Sequence, residues 1–436
     1  MDIPDPNVYL APLLGALWII FKSWWWLILP ALFFIPARAL YLWWIQWEVW
    51  YKEQEWAVLE VIPPADILKP YRAMEDIYNA TWSIIDSPNW RELWCEGELK
   101  NFPYWWSFEL ASIEGQLHYY FRIPKDTKKL FEAIFHTHYA GAEIFEVPDY
   151  TKEVPQNLPN KDYEVYGEDY TLLRDDIYPI KTYDFFEMRP EEIEKEKKLD
   201  PFVQLLEALS KLKKGERSWI QMIITPISDD DIPWLTHGKE VINKLAHRPE
   251  KSPTPSLVGE AARLVLFNKV PYSDTAKEES LIPPEMRLTP GERDTIANIE
   301  KKVSKIGFKT SIRAMYIYEK GCRVAPHGRI FRAYCLHFNT QNANGLRYFK
   351  STRTKIHYIF RKRRLYNRKK QMFSRYIRRF PASYPKLYGK GSMILNAEEL
   401  ATLFHFPASS VELPAGVPRI MAKKFTSPPA IPTEEN

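Results

Sequence analysis

The hydrophobic pattern begins with a block that has no period. From Leu10 to Tyr51 the chain reads LAPLLGALWIIFKSWWWLILPALFFIPARALYLWWIQWEVWY, charged only at Lys22, Arg38 and Glu48. Apolar residues here are continuous rather than confined to one helical stripe, as expected of a segment surrounded by hydrocarbon. Tryptophan gathers at Trp24, Trp25 and Trp26 and again at Trp43, Trp44 and Trp47. An indole at a membrane edge satisfies both its apolar ring and its N–H. The window Trp24 to Trp47 therefore predicts one transmembrane helix, with Arg38 near enough to its end to reach the interface. Pro30 and Pro36 predict local kinks. A span over Leu13 to Ile35 would instead bury Lys22, at a cost of about 2.5–3.5 kcal/mol. A re-entrant hairpin turning at Lys22–Ser23 is the other membrane shape, and a buried helix pair is the soluble one. The run lacks the basic n-region and small-residue cleavage site of a signal peptide.

From Trp56 onward the pattern becomes periodic. Trp56–Ile62, Trp106–Ile113, Gln116–Ile123 and Ala142–Val147 read as strands. Helical spacing covers Tyr71–Ile85 and Pro124–His138, and Glu114–Gly115 is a hairpin signal. This is the β-α-β-β-α-β order of a ferredoxin-like unit. The order appears a second time. Tyr178–Phe186, Arg217–Thr225, Thr310–Tyr318 and Ser392–Leu395 are the expected strands, and Asp200–Leu212 and Gly328–Phe338 the helices. Insertions interrupt this second set at Ser228–Ile306 and Thr340–Lys390. Asn396 with Glu399 predicts a capped helix after it, and prolines dominate beyond Pro407. The expected fold class is α+β: an N-terminal transmembrane helix followed by two tandem ferredoxin-like units, the second with insertions. The expected boundaries are 1–52 for the anchor, 53–150 for the first unit and 151–177 for a connector. The second unit then covers 178–406 and a Pro-rich tail 407–436.

Charge alters this picture by its distribution. The 436 residues carry a net charge of +5. Lys320 to Ala397 holds 20 Lys and Arg and no Asp or Glu, which leaves 40 basic against 55 acidic residues elsewhere. Around the anchor, Asp2 and Asp5 lie on one side and Lys52, Lys69 and Arg72 on the other. The positive-inside rule then predicts an inner-membrane, single-pass protein with its N-terminus outside and its C-terminal part in the cytoplasm. Three scattered cysteines, Cys95, Cys322 and Cys335, fit a reducing compartment.

Candidate chemistry is sparse. Gly389-Lys-Gly-Ser392 and Gly238–Lys239 lack the GxxxxGK[ST] frame of a phosphate-cradling loop. His136 and His138 stand two apart on a helix and so point to different faces. HExxH is absent, and Asp229–Asp231 reads as a solvated turn. No enzyme, cofactor or metal is expected.

The strongest polar feature is Arg361 to Phe380, RKRRLYNRKKQMFSRYIRRF. Leu365, Met372, Phe373, Tyr376, Ile377 and Phe380 recur near helical spacing. Arg361, Lys362, Arg363, Arg364, Arg368, Lys369, Lys370, Arg375, Arg378 and Arg379 fill the other positions and are the candidate contacts. Three readings compete: a solvated helix with an ordinary buried stripe, contact with anionic lipid headgroups, and contact with the phosphates of DNA.

Several stretches carry a family resemblance. YLWWIQWEVWYKEQEW followed by VLEV, then PDYTKEVPQNLPNKDYEVYG, LDPFVQLLEALSKLKKGERSWIQ and LNAEELATLFHFP, resemble a bacterial family of membrane-anchored proteins. Those proteins are associated with, or fused ahead of, coupling-type ATPases of type IV secretion and conjugation. The resemblance runs from about Tyr41 to Pro407 and brings no catalytic motif. It implies a non-catalytic adaptor of a DNA- or protein-translocating ATPase. Because the chain ends at Asn436, where a fused motor would begin, a separate P-loop ATPase is expected. The other expected partners are the membrane, DNA and further copies of the chain. The rival reading is a membrane-surface or DNA-tethering module without a motor. Leu395–Pro407, which would lead into a motor, is expected to matter for the adaptor alone.

Overall fold

A computed structural model describes residues 7–45, 51, 54–83, 105–185, 200–228, 232–246, 288–356, 359–382, 390–409, 413–414 and 416–419. Contacts divide the chain into two compact units. One is Met1–Glu55 with Asp86–Phe102, and the other is Trp56–Ile85 with Pro103–Asn436.

The first unit contains α1 (Asn7–Trp44), a continuous helix of 38 residues. The expected membrane span is corrected here. No described helix is long and apolar enough to cross a membrane. The reason is the composition that suggested a span. Tryptophan and tyrosine are interfacial residues with polar N–H and O–H groups. Interleaved with Lys22, Ser23, Pro30, Pro36 and Arg38, they dilute the aliphatic content of every stretch. The single-pass topology, outside N-terminus and inner-membrane location inferred from that span fall with it. Trp24, Trp26 and Trp44 are exposed on α1. The Trp24 and Trp26 rings stack at 6.5 Å, and the Trp26 indole donates to the Ser23 carbonyl at 3.1 Å. The side chains of Trp25 and Trp43, and all of Trp47, lie outside the described residues.

The second unit is built on one antiparallel sheet of nine strands. In chain order these are β1 (Trp56–Ile62), β2 (Trp106–Ile113), β3 (Gln116–Pro124), β4 (Glu143–Glu146) and β5 (Tyr163–Leu172). They continue with β6 (Glu216–Pro226), β7 (Gly307–Glu319), β8 (Leu346–Tyr348) and β9 (Met393–Asn396). Across the sheet the order is β4-β1-β3-β2-β6-β7-β5-β8. Along one side of β7 runs β6; the other side is shared, with β5 on Ile312–Glu319 and β9 on Gly307–Thr310.

The two separate ferredoxin-like units are therefore corrected to one continuous sheet. β2 pairs with β6 from Trp106↔Ile224 to Ile113↔Arg217, so hydrogen bonds cross the expected domain boundary without a break. Strand assignments differ too. Tyr178–Phe186 forms no strand among its described residues and holds only a short 3-10 turn at Tyr183–Phe185. The strand beside β7 is β5, inside the expected connector, and the far edge is the three-residue β8.

Helices follow their local signals. In chain order after α1 they are α2 (Pro70–Trp82), α3 (Lys128–His138), α4 (Pro201–Ser210), α5 (Trp234–Leu245) and α6 (Pro290–Val303). Then come α7 (Ile330–Cys335), α8 (Arg361–Arg378) and α9 (Ala397–Leu403). Asp200 caps α4 by accepting from the Phe202 N–H at 2.8 Å, and Asn396 and Glu399 form the expected capping box on α9. The hairpin between β2 and β3 turns at Glu114 and Gly115, both at positive φ, as a two-residue turn matched to strand twist requires.

Alternation along the strands sorts two faces. Trp106, Phe108 and Leu110 of β2 enter a large core with residues of α2, α3, α4, α7 and α9. Ala111 of the same strand joins a smaller cluster with Met372, Phe373 and Tyr376 of α8. The segment from Leu395 to Pro407 is buried throughout. Phe404 packs against the rings of Phe108, Tyr119 and Phe121 from β2 and β3 and of Phe202 from α4. A stretch so buried is part of the core, so its loss would disturb the fold under either reading and does not separate the adaptor from the tether. Phe404→Ala is expected to cost about 3–5 kcal/mol in urea unfolding. Because the ring packs against β2, β3 and α4 at once, fluorescence and circular dichroism transitions are expected to shift together; separate transitions would show that these elements unfold independently.

Candidate polyanion-binding face

What holds a helix with so many cations against a sheet? Met372, Phe373 and Tyr376 supply an apolar footing on Trp219, Met315 and Val165. Gly167 of β5 makes room for it, since a Cβ there would stand 2.9 Å from Met372 Cγ. Beneath the helix runs a row of polar residues. Glu109 of β2 is paired in register with Gln221 of β6, Gln221 with Arg313 of β7, and Arg313 with Asp169 of β5. All four are buried.

Most of these groups satisfy one another, although the Asp169 Oδ2 is buried without a hydrogen-bond partner among the described residues. The Arg379 Nε donates to Glu109 Oε1 at 3.0 Å, and its Nη2 to Glu109 Oε2 at 3.2 Å and Asp149 Oδ1 at 3.0 Å. Ser107, Gln221 and Tyr150 also donate to Glu109, at 2.6, 2.9 and 2.7 Å. The one Tyr150 proton is thereby used, so the Tyr376 hydroxyl donates to Tyr150 across 2.7 Å. Arg313 donates to Asp169 at 2.6 Å and to the Phe380 carbonyl at 3.1 Å. Burial alone would push the Arg379 guanidinium down, but the charges of Glu109 and Asp149 hold it above its ordinary range.

The candidate cations therefore divide. Arg379 sits at the C-terminal end of α8 in the left-handed region, φ 54°, and is 1% exposed. It is a structural anchor, not a surface contact. Arg375 is half-buried and donates to the Ala382 carbonyl at 2.9 Å, and burial lowers its pKa. Arg368 donates to the Arg353 carbonyl at 3.0 Å, and Lys369 pairs with Glu164 at 2.8 Å. Arg361, Lys362, Arg363, Arg364, Lys370 and Arg378 are exposed. Among the described residues, Lys362, Arg363, Arg364 and Lys370 form no ion pair with a carboxylate. Arg363 and Lys370 stand two turns apart on the same side of the helix.

At the N-terminal end of α8 a cleft of about 260 Å³ opens. Tyr166, Tyr316 and Tyr318 line it together with Arg323, Arg329, Arg353, Lys355, Arg361 and Lys369, and among the described residues no carboxylate belongs to the lining. Sequence reasoning missed this site because its cations come from three separate segments. Their common signal was the acid-free window from Lys320 to Ala397. Among the described residues no group of His, Cys, Asp or Glu is placed to hold a metal ion. His136 and His138 lie on α3, and Asp229–Asp231 lies outside the described residues.

Fold and face together define an α+β protein in which one helix-covered antiparallel sheet presents a polybasic helix. The chain belongs to the family described as a domain of unknown function, DUF8128, whose model matches residues 51–416. No curated protein matches it.

Arg379→Ala is expected to cost about 3–5 kcal/mol in urea unfolding, because Glu109 would stay buried without its partner. Arg378→Ala, one residue earlier and exposed, is expected to change stability by less than about 0.5 kcal/mol. Acid unfolding tests the same network. For Asp149, burial would raise the carboxyl pKa, but Arg379 and Thr151 bring it below the ordinary value. Its contribution is fully present above the unfolded pKa of about 3.9 and is lost as pH falls through the depressed folded value. In Asp149→Asn the fall in stability from neutral pH to below that range is expected to be shallower than in wild type.

Proposed function

We propose that the chain is a non-catalytic adaptor that grips the phosphate backbone of DNA through the outer face of α8, beside a separate translocation ATPase. The observation that carries the DNA contact is the sorting of cations on α8. Those facing the sheet are neutralised by Glu109, Asp149 and Glu164. Those facing outward, Lys362, Arg363, Arg364 and Lys370, are left charged and clustered. Fixed, clustered cations gain affinity by releasing counterions condensed on a polyanion. The row of phosphates on DNA is the target such a surface fits, without reading base sequence. The ATPase partner rests on the resemblance of the quoted motifs to proteins found beside such motors.

The test uses the full chain, fluorescent duplex DNA and anionic vesicles as competitor. Duplex affinity is expected to fall with salt by about 0.9 log units per phosphate contact for each log unit of salt, with little dependence on sequence. Lys362→Glu, Arg363→Glu and Lys370→Glu together are expected to reduce both affinity and salt slope while the thermal transition is retained. Binding to vesicles but not to duplex would overturn the DNA reading in favour of a lipid surface. Binding to neither would leave α8 a solvated helix.

A further inference from the structure

The N-terminal end of α8 gathers positive charge that the protein itself does not offset. Its first turn is Arg361-Lys362-Arg363-Arg364, with no acidic residue. The N-cap position is Phe360, at φ 59°, and no side chain caps the free N–H groups. An α-helix leaves its first N–H groups unsatisfied and carries positive partial charge at that end. Four cations there are unfavourable both with the dipole and with one another. Most helices reverse this arrangement by placing Asp or Glu in the first turn.

The adjoining cleft extends the imbalance. Arg323 and Arg329 enter from the segment after β7, Lys355 from the segment before α8, and Arg361 from α8 itself. All four are exposed, and among the described residues none forms an ion pair with a carboxylate. Two more lining cations are already neutralised: Arg353 by Glu168 at 2.8 Å and Lys369 by Glu164 at 2.8 Å. The fold thus supplies acids where cations are buried and omits them around the opening. Gly328 lets the Tyr166 ring approach, since a Cβ there would lie 2.9 Å from it. The Tyr316 and Tyr318 rings stack on each other at 4.9 Å and are buried, so the partly exposed ring of the lining is Tyr166.

We infer that this cleft is a subsite for one unpaired nucleotide of a single-stranded nucleic acid. Arg323, Lys355 and Arg361 would hold its phosphate, and the partly exposed Tyr166 ring would face its base. Size decides against a duplex. A cavity of about 150 Å³ holds a benzene ring, so 260 Å³ has room for a single base or sugar phosphate and not for a stacked, paired segment. Chemistry decides against a bare anion. A site for inorganic phosphate needs no aromatic ring such as Tyr166 in its wall, whereas single strands are gripped by cations on the backbone and aromatic side chains under the bases. The inference rests on the nucleic-acid reading of α8 and divides the surface into two parts: an outer face for backbone phosphates and a cleft that requires an unpaired unit.

The experiment measures fluorescence anisotropy of the full chain with a short oligothymidylate and with a duplex, comparing wild type with the double variant Arg323→Ser, Lys355→Ser. Both positions are exposed, and a matched thermal transition confirms that the variant folds. Loss of about tenfold or more in single-strand affinity, with duplex affinity kept, is the expected result. The charge-conserving pair Arg323→Lys, Lys355→Arg should restore most of it. Equal loss for both probes, or no loss for either, would overturn the subsite while leaving the α8 reading intact. If wild type binds the single strand but not the duplex, the duplex reading fails and the cleft stands. Competition identifies the ligand's source: thymidine 5′-monophosphate should displace the single strand more effectively than inorganic phosphate does. Equal displacement by phosphate would reduce the site to an anion hole and refute the nucleotide.

Discussion

A single guanidinium ties the basic helix to the sheet. Arg379 lies between Glu109 and Asp149, 1% exposed, at the point where α8 ends in a left-handed residue. A buried charge without a partner is among the most destabilising features a fold can contain. The position is tolerable because Glu109 is approached by Arg379, Ser107, Gln221 and Tyr150 together. Burial of these partners removes water as a competitor and makes the geometry selective. The row Glu109–Gln221–Arg313–Asp169 crosses four neighbouring strands, so the anchor also depends on their register. A slip of one residue between β2 and β6 would turn Glu109 or Gln221 to the opposite face. Sheet pairing and helix docking are therefore one constraint.

That constraint explains how an 18-residue helix, half of whose residues are Lys or Arg, keeps its place. Self-repulsion along Arg361–Arg378 opposes folding, and the sheet offsets it only on the buried side. Glu164, Asp149 and Glu109 come from segments far away in sequence. The outer cations receive nothing comparable among the described residues. Charge is thus separated across the thickness of one helix, with paired groups beneath and unpaired groups above. Such a surface attracts an extended polyanion at a distance and is screened by salt.

Much of the local structure could be read from the sequence, and the failures share a cause. β1 and β2 were placed to the residue by alternation, and the Asn396 cap by its acidic residue three positions on. β5 was missed because YEVYGEDYTL carries Glu164, Gly167, Glu168 and Asp169, the composition of a loop. Its acids are strand residues only because Arg313, Arg332, Arg353 and Lys369 meet them in three dimensions. Tyr178–Phe186 failed in the opposite direction: Ile180 and Tyr183 are buried by packing on other elements, not by strand pairing. The two-unit expectation relied on a strand at Tyr178–Phe186 that does not form, omitted β5 and β8, and had no access to the β2–β6 pairing that fuses the sheet. For α1, tryptophan was counted as an edge marker of a span, whereas its polar N–H and the interspersed prolines and cations leave no stretch sufficiently apolar.

The same reasoning accounts for which candidate cations remain available. In sequence, all ten from Arg361 to Arg379 looked equivalent, because the 78-residue window from Lys320 to Ala397 holds no acid to distinguish them. The helix period alone would set Met372, Phe373 and Tyr376 inward and so condemn their flanking neighbours to partial burial. It could not say that Arg379, just past the last helical turn, would be drawn fully inside, since that depends on an acid 270 residues earlier. Charge runs therefore report where a polyanion could be met only after long-range acids have been subtracted. On α8 the subtraction removes its C-terminal half more than its N-terminal half. What survives is concentrated at Arg361–Arg364, beside the cleft, where the helix dipole adds to the side-chain charge instead of opposing it.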